Sequence, residues 1–139
     1  MAKFRFRLEK LLEYRRLQEK WAKDTYLEAR ARRNEGEGEL EGVRTRRAKI
    51  LSNRPANLQA LRDFEAFLIR LDDDEQGAIA MLGVLEDEEK TARDEWIAAK
   101  SEAEAIQKLR EQAYADWQRE ELKREQAELD EWAVLRRSA

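Results

Sequence analysis

The sequence contains no cysteine and no histidine, and its 139 residues include one proline and five glycines. Without cysteine the chain has no disulfide and no thiolate nucleophile, which fits a reducing compartment. Without histidine it lacks the commonest metal ligand and the side chain that titrates near neutral pH. Because helix breakers are so few, the composition favours long uninterrupted helices over a globule with many turns.

Long apolar runs and recognisable chemical motifs are missing as well. No stretch of about 18 apolar residues predicts a membrane span, and the start MAKFRF has no apolar core of a signal peptide. We find no glycine-rich phosphate loop, no metal-ligand spacing and no nucleophile motif. We therefore expect a cytoplasmic protein that is not an enzyme and that holds no cofactor and no metal.

Charge is what the chain has in abundance, at 42% of all residues, and it is unevenly distributed. Residues 1–52 carry 15 Lys and Arg against 9 Asp and Glu, whereas residues 57–105 carry 5 against 14. Opposite charges favour pairing of these two segments within the chain. The alternative is nucleic-acid binding through the arginines, which the acidic segment disfavours because it competes with phosphate. These arginines are Arg30, Arg32, Arg33, Arg44, Arg46 and Arg47.

A single strong breaker, SNRPAN, divides two segments with heptad repeats. Pro55 disfavours the helical conformation of Arg54, and Asn57 can cap a new helix. We predict one coiled-coil domain over 1–139, with helix 1 at about 4–51, a turn at 52–56 and helix 2 at about 57–136. The heptad register continues through the acidic stretch Asp72–Gly77, so helix 2 is expected to be continuous there. The predicted fold is all-α, a two-helix antiparallel coiled-coil hairpin whose second helix is the longer.

A tight turn predicts which residues face each other across the seam between the helices. Their numbers should sum to roughly 110–115 if both helices leave the turn at the same level. Phe4 to Arg16 would then pack around Ala99 to Ile106. From Ile106 onward helix 2 would lack a partner, which would expose Ala113, Trp117, Leu122, Leu129 and Trp132.

Two clusters have a functional interpretation that competes with a plain structural one. Asp72, Asp73, Asp74 and Glu75 could bind a divalent cation, but consecutive helical residues point in different directions, so a solvated helix face is favoured. The four tryptophans could fill the seam or anchor a partner. The partner interpretation is strongest for Trp117 and Trp132, which fall in the part predicted to be unpaired.

The chain resembles the FliJ family in three stretches that occur in the family's order. They are FRFRLEKLLEYRRLQEKWAKDTYLEA at the N-terminus, LRDFEAFLIRL in the middle and KREQAELDEWAVLRR near the C-terminus. This resemblance implies an antiparallel helical hairpin, similar to the stalk of rotary ATPases, in the bacterial flagellar type III export apparatus. Such a stalk inserts in the ring of the export ATPase and links it to the export gate, and it is also associated with export chaperones.

The resemblance also implies partners and contact residues. The expected partners are the flagellar export ATPase and its regulator, the membrane-embedded export gate and export chaperones, with the free chain a monomeric rod peripheral to the membrane. Gate contact is expected from Leu40, Val43, Phe67 and Leu71. The heptad register, however, also places Leu40, Val43 and Leu71 in the seam. ATPase contact is expected from Phe4, Leu8, Leu12, Trp117 and Trp132.

Two other functions stay open at this stage. The chain could be a structural spacer that dimerises through the unpaired part of helix 2. It could also be the equivalent stalk of a virulence type III secretion system, which the sequence pattern separates poorly from the flagellar one.

Overall fold

The computed structural model describes residues 3–138, and two helices account for nearly all of them. Helix α1 comprises Glu9–Leu51 and helix α2 comprises Leu58–Ser138, with no strand in residues 3–138. The predicted fold class, a helical hairpin with a longer second helix, is confirmed. Within residues 3–138 no helix is long and apolar enough to cross a membrane.

The residue contacts divide the chain into two units. The first unit joins the beginning of α1, up to Lys20, with α2 from Ile97 onward. The second unit is Trp21–Trp96 and contains the rest of both helices and the connection between them. In each unit the two helices run antiparallel, because contacts join early residues of α1 to late residues of α2.

Helix α1 begins five residues later than its amphipathic pattern predicts. Phe4 to Phe6 are not helical, and Glu9 starts the helix with its N–H bonded to the carbonyl oxygen of Phe6 at 3.2 Å. The carboxylate of Glu9 in this first turn is favourable to the helix dipole. The preceding residues pack the Phe4 ring against α2 instead of extending the helix.

The connection at 52–57 has capping interactions at both ends. At the end of α1, Ser52 donates its hydroxyl to the carbonyl oxygen of Lys49 at 2.7 Å. At the start of α2, the Asn57 side-chain oxygen accepts the backbone N–H of Ala60 at 2.7 Å, as an N-cap does. The sequence-based expectation for Asn57 is thus met.

Small residues and single large ones alternate in a thin seam, at the heptad positions that the sequence predicts. The buried residues are all apolar, and no polar side chain in residues 3–138 is buried. Leu12 is fully buried, and replacing such a leucine by alanine costs about 2–5 kcal/mol. Seven residues make up this core: Leu12, Ala29, Leu40, Val43, Leu71, Ala92 and Ala103.

The register between the helices differs from the prediction. In the second unit Arg33 contacts Glu89, where residues 77–82 were expected. In the first unit Glu9 contacts Arg110, where residues 101–106 were expected. Glu89 lies seven residues and Arg110 four residues beyond the upper end of these ranges, so the predicted pairing is wrong by at least four to seven residues.

The connection explains this offset. An extended chain advances about twice as far per residue as a helix, so residues 52–57 move the start of α2 past the end of α1. Leu51 consequently lies beside Leu68, and the first turns of α2 pack against the connection, where Arg54 and Leu61 line the same hollow. The prediction had assumed a tight turn.

Candidate functional site

Ion pairs across the seam hold the second unit in register. Arg33 bonds Glu89 across the seam and Glu37 on its own helix at 2.6 Å. Arg47 bonds Glu75 and, at 2.6 Å, Asp72. These pairs specify the register, because sliding by one heptad would leave half-buried charges without partners.

The hydrogen bond to Glu89 raises the pKa of the Arg33 guanidinium above its usual range. A base whose pKa is raised on folding contributes its stabilisation at every pH below the unfolded value. That contribution is lost only as the pH rises past the folded value. Arg33 therefore gives the protein no pH sensitivity near neutrality.

These ion pairs also bear on two proposed sites: nucleic-acid binding by the arginines and cation binding by the acidic stretch. Four of the six arginines considered for nucleic-acid binding face carboxylates of α2, namely Arg32, Arg33, Arg44 and Arg47. In the acidic stretch, Asp72 and Glu75 form ion pairs with Arg47. Asp74 instead borders a surface hollow beside Val43 and Ala78. Among residues 3–138 no group of carboxylates is arranged to hold a metal ion.

Of the four residues expected to contact the export gate, three lie in the seam. Leu40, Val43 and Leu71 are 8%, 5% and 3% exposed, so their side chains are already packed between the helices. Phe67 is 43% exposed and is the one whose ring a partner could reach. The burial of Leu40, Val43 and Leu71 therefore agrees with the heptad pattern, which places these residues in the seam.

Other apolar side chains near Phe67 are exposed as well. Leu51, Leu58 and Ile69 are exposed at the end of α1 and in the first turns of α2, and Leu51 also borders a hollow of about 430 Å³. We call this region the connection surface. The hollow is lined by Leu51, Arg54, Leu61, Phe64, Glu65 and Leu68.

An aromatic cluster occupies the first unit, where the N-terminal segment crosses α2. The Phe4 ring meets Tyr114 edge-on at 5.2 Å and Trp117 at 5.8 Å between centroids. Arg110 lies 5.5 Å from the Phe4 centroid and bonds Glu9 at 2.9 Å. Trp117 is thus half-buried under the N-terminal segment, whereas the predicted register had left it and Ala113 unpaired.

The five residues expected to contact the ATPase do not share one environment. Leu12 is fully buried, so it can only support the surface from beneath. Phe4, Leu8 and Trp117 are half-buried. Trp132 is 58% exposed, with the Arg136 guanidinium 4.9 Å from its ring centroid.

The last part of α2, residues 118–138, packs against no other element among the described residues, and we call it the terminal segment. Apart from the half-buried Glu121, all its residues are exposed. Its ion pairs join residues three apart within the helix, such as Lys123 with Glu120. The large apolar side chains exposed along it are Leu122, Leu129, Trp132, Val134 and Leu135.

Sequence reasoning missed the contribution of Tyr114 and Arg110 to the aromatic cluster. The signal that could have found Tyr114 is its spacing of three residues from Trp117, which places both rings on one helix face. Trp96, by contrast, stacks on Tyr26 at 5.4 Å within the seam, in agreement with its seam-filling interpretation.

Comparison with known proteins tests the family resemblance directly. Searches of the curated proteins and of the solved structures gave no significant match. A family model described as Flagellar FliJ protein matches residues 4–138, nearly the whole chain. The chain therefore belongs to the FliJ family, whose members are non-catalytic components of the flagellar protein export apparatus.

Proposed function

We propose that the chain is a stalk that inserts in the ring of the flagellar export ATPase and links this ring to the export gate. Family membership supports a place in the export apparatus. The observation that carries the finer proposal is the terminal segment, a helix with five exposed large apolar side chains and no packing partner among the described residues.

The terminal segment is the proposed ATPase contact. Exposed tryptophan and leucine side chains are typical binding anchors, because their burial by a partner removes much apolar area from water. Trp132 and Leu129 are three residues apart and lie on one side of the helix. The charged residues between them keep the free segment in solution and supply polar contacts at the rim of an interface.

The aromatic cluster extends the proposed ATPase contact toward the chain's start. Phe4 and Leu8 are partly accessible and lie in the unit that contains Trp117. Leu12, fully buried, holds the beginning of α1 against α2. We assign it a structural role beneath the contact residues.

For gate contact we propose the connection surface together with the exposed ring of Phe67. Leu40, Val43 and Leu71 act indirectly here, because they fix the helix that presents the Phe67 ring. A Phe67→Ala variant should weaken gate binding without unfolding the chain.

The remaining parts of the proposal follow from family membership and composition. We propose that the chain is cytoplasmic, peripheral to the membrane-embedded apparatus, free of enzymatic activity, and monomeric until it binds the ATPase and its regulator. Escort of export chaperones and a consequent role in motility belong to the same proposal. The family description favours the flagellar system over a virulence system. Ion pairing of the arginines with α2 argues against nucleic-acid binding.

The test is light scattering after size-exclusion chromatography, on the chain alone and mixed with the export ATPase of the same organism. We expect a monomer that joins a larger ATPase complex. The double variant Leu129→Ala, Trp132→Ala should lose this complex. The control Leu27→Ala changes a leucine that is 45% exposed in the other unit, and it should leave binding intact.

A second function, a self-associating spacer, is favoured by the same exposed side chains. Two copies of the chain could bury their terminal segments against each other. A stable dimer that ignores the ATPase, and that Trp132→Ala converts to a monomer, would establish the spacer and refute the stalk.

A further inference from the structure

Two open hollows lie along one face of the second unit. The first hollow, of about 780 Å³, lies beside Ala92 and Leu85, and the second, of about 570 Å³, lies beside Ala78 and Val43. The bordering residues recur every seven positions, which places both hollows on the same face of the helix pair. On α1 these are Thr25, Arg32, Glu39 and Arg46; on α2 they are Asp74, Met81, Glu88 and Glu95.

The hollows exist because the seam is filled unequally on its two sides. The seam residues Arg33, Glu89 and Trp96 line neither hollow. On the hollow side the small seam residues Ala78 and Ala92 stand next to the larger Val43 and Leu85. Each missing side chain leaves space that a knob from another helix could fill, as in a three-helix bundle.

Large apolar side chains stand exposed at the edge of these hollows. Met81 borders the second hollow and is 54% exposed, and Val84 borders the first and is 53% exposed. Gly77 and Gly42 beside them leave the backbone open to close approach. The face thus combines concave sites with apolar contacts.

The border of the hollows is acidic. It has five carboxylates and two guanidinium groups, and Arg32 already lies 4.0 Å from Glu88. The other four carboxylates form no ion pair within residues 3–138: Glu39, Asp74, Asp87 and Glu95. A positively charged partner would gain attraction here, whereas an acidic one would be repelled.

We infer that this face docks a basic amphipathic helix of another protein, which completes a three-helix bundle. Ala78 and Ala92 are 14 residues apart, so the hollows are spaced by roughly 21 Å along α2. The docked helix would therefore carry apolar anchors two heptads apart, flanked by Lys and Arg. This inference concerns residues 25–95 and does not depend on the ATPase or gate contacts proposed above.

The test uses the full chain and a synthetic helical peptide as the probe. The peptide spans about three heptads, with leucines two heptads apart and Lys and Arg on the flanks. A matched peptide replaces every Lys and Arg by Glu. Fluorescence anisotropy should give micromolar binding of the basic peptide, weakened by about tenfold or more at high salt, and at least tenfold weaker binding of the acidic peptide.

Matched variants locate the binding face. Val84→Ser and Glu95→Lys should each weaken the basic peptide about tenfold, through lost apolar contact and reversed charge respectively. The controls Ile79→Ser and Glu86→Lys change exposed residues that do not border the hollows, and binding should stay within about twofold.

Three results would overturn the inference. They are no binding of the basic peptide, equal binding of both peptides, or equal losses in the Val84 and Ile79 variants. Equal losses would mean that the peptide does not distinguish the face with the hollows from other exposed apolar side chains. Circular dichroism of each variant verifies that the helices remain folded, so that a loss can be assigned to the face.

Discussion

Helix α2 consists of two parts that share a heptad-like spacing of apolar residues but have different surroundings. Up to Trp117, residues at heptad positions are covered by α1, by the connection or by the N-terminal segment. In the terminal segment, leucine and tryptophan recur at comparable spacing, yet they are exposed. Leu12 opposite the first part is fully buried, whereas Leu129 in the second is 61% exposed.

The comparison shows that a heptad pattern predicts an apolar helix face that can pack against another helix. The pattern does not indicate whether that helix belongs to the same chain or to another protein. The covered part uses its stripe to hold the chain together. The uncovered part contributes little to folding, because its side chains gain nothing by burial in the free chain. Its apolar residues are therefore available for another protein, and we expect matched substitutions in the two parts to affect different measurements.

The largest contrast is expected between two leucines. Leu12→Ala should lower the free energy of unfolding by about 2–5 kcal/mol, because it leaves a cavity in the seam. Leu129→Ala should change it by less than about 0.5 kcal/mol, as is usual for exposed sites. Urea unfolding followed by circular dichroism measures both. Similar losses for the two variants would show that the terminal segment is also packed in the free chain.

The next contrast concerns arginines. Arg47→Met removes the closer of the two cross-seam arginines from Glu75, whose side chain is 14% exposed, and leaves it only Arg44 at 3.7 Å, so it should cost about 1–3 kcal/mol. Arg124→Met breaks a pair within the terminal segment and should cost less than about 0.5 kcal/mol. Adding Glu75→Leu to Arg47→Met should recover most of the loss in the same unfolding assay, since the charges that then lack a partner, on Asp72 and Arg44, are exposed to water. Failure to recover would mean that the arginine acts by packing alone.

A smaller effect is expected at the aromatic cluster. Phe4→Ala removes the ring contacts with Tyr114 and Trp117 and should cost about 1 kcal/mol. Near-ultraviolet circular dichroism should report the loss, because both neighbouring rings lose their ordered contact. Val134→Ala serves as the control in the terminal segment and should leave this signal unchanged. An unchanged spectrum in Phe4→Ala would contradict the packing of the N-terminal segment on α2.

The smallest contrast lies between two glycines of α1. Gly38 faces open space, so Gly38→Ala should stabilise the helix by about 0.5–1 kcal/mol. At Gly36 an added Cβ would lie 2.7 Å from a terminal methyl carbon of Leu85, which must then shift. Gly36→Ala should therefore gain less than Gly38→Ala or lose stability. Thermal unfolding compares the two, and an equal gain would show that the seam is looser at Gly36 than described.

The sequence predicted what depends on local pattern. Two helices, the break at Pro55, the cap at Asn57 and the seam positions of Leu12, Leu40 and Leu71 follow from periodicity and capping chemistry. The family resemblance, confirmed by the match over residues 4–138, came from the order of three short stretches. The prediction of the seam residues was correct because the burial of one helix face depends little on which residues lie opposite it.

What the sequence could not predict depends on contacts between distant residues. Sliding one helix by a heptad preserves the apolar pattern, so the pattern alone does not fix the register. The register is fixed by the length of the connection and by the pairing of Arg33 with Glu89. Phe4 likewise leaves the helix for rings more than 100 residues away in the chain. The division of the gate-contact residues into buried Leu71 and exposed Phe67 needed the structure as well.

The most direct test of the account is hydrogen exchange of the backbone amides, measured on the free chain and on its complex with the export ATPase. We expect rapid exchange in residues 122–138 of the free chain at any concentration, and strong protection of these residues when the ATPase is bound. Residues 97–117 should be protected in both states, since they are already packed. Protection of 122–138 in the free chain that rises with protein concentration would contradict the stalk and support self-association. No change in this region on adding the ATPase would also contradict the stalk.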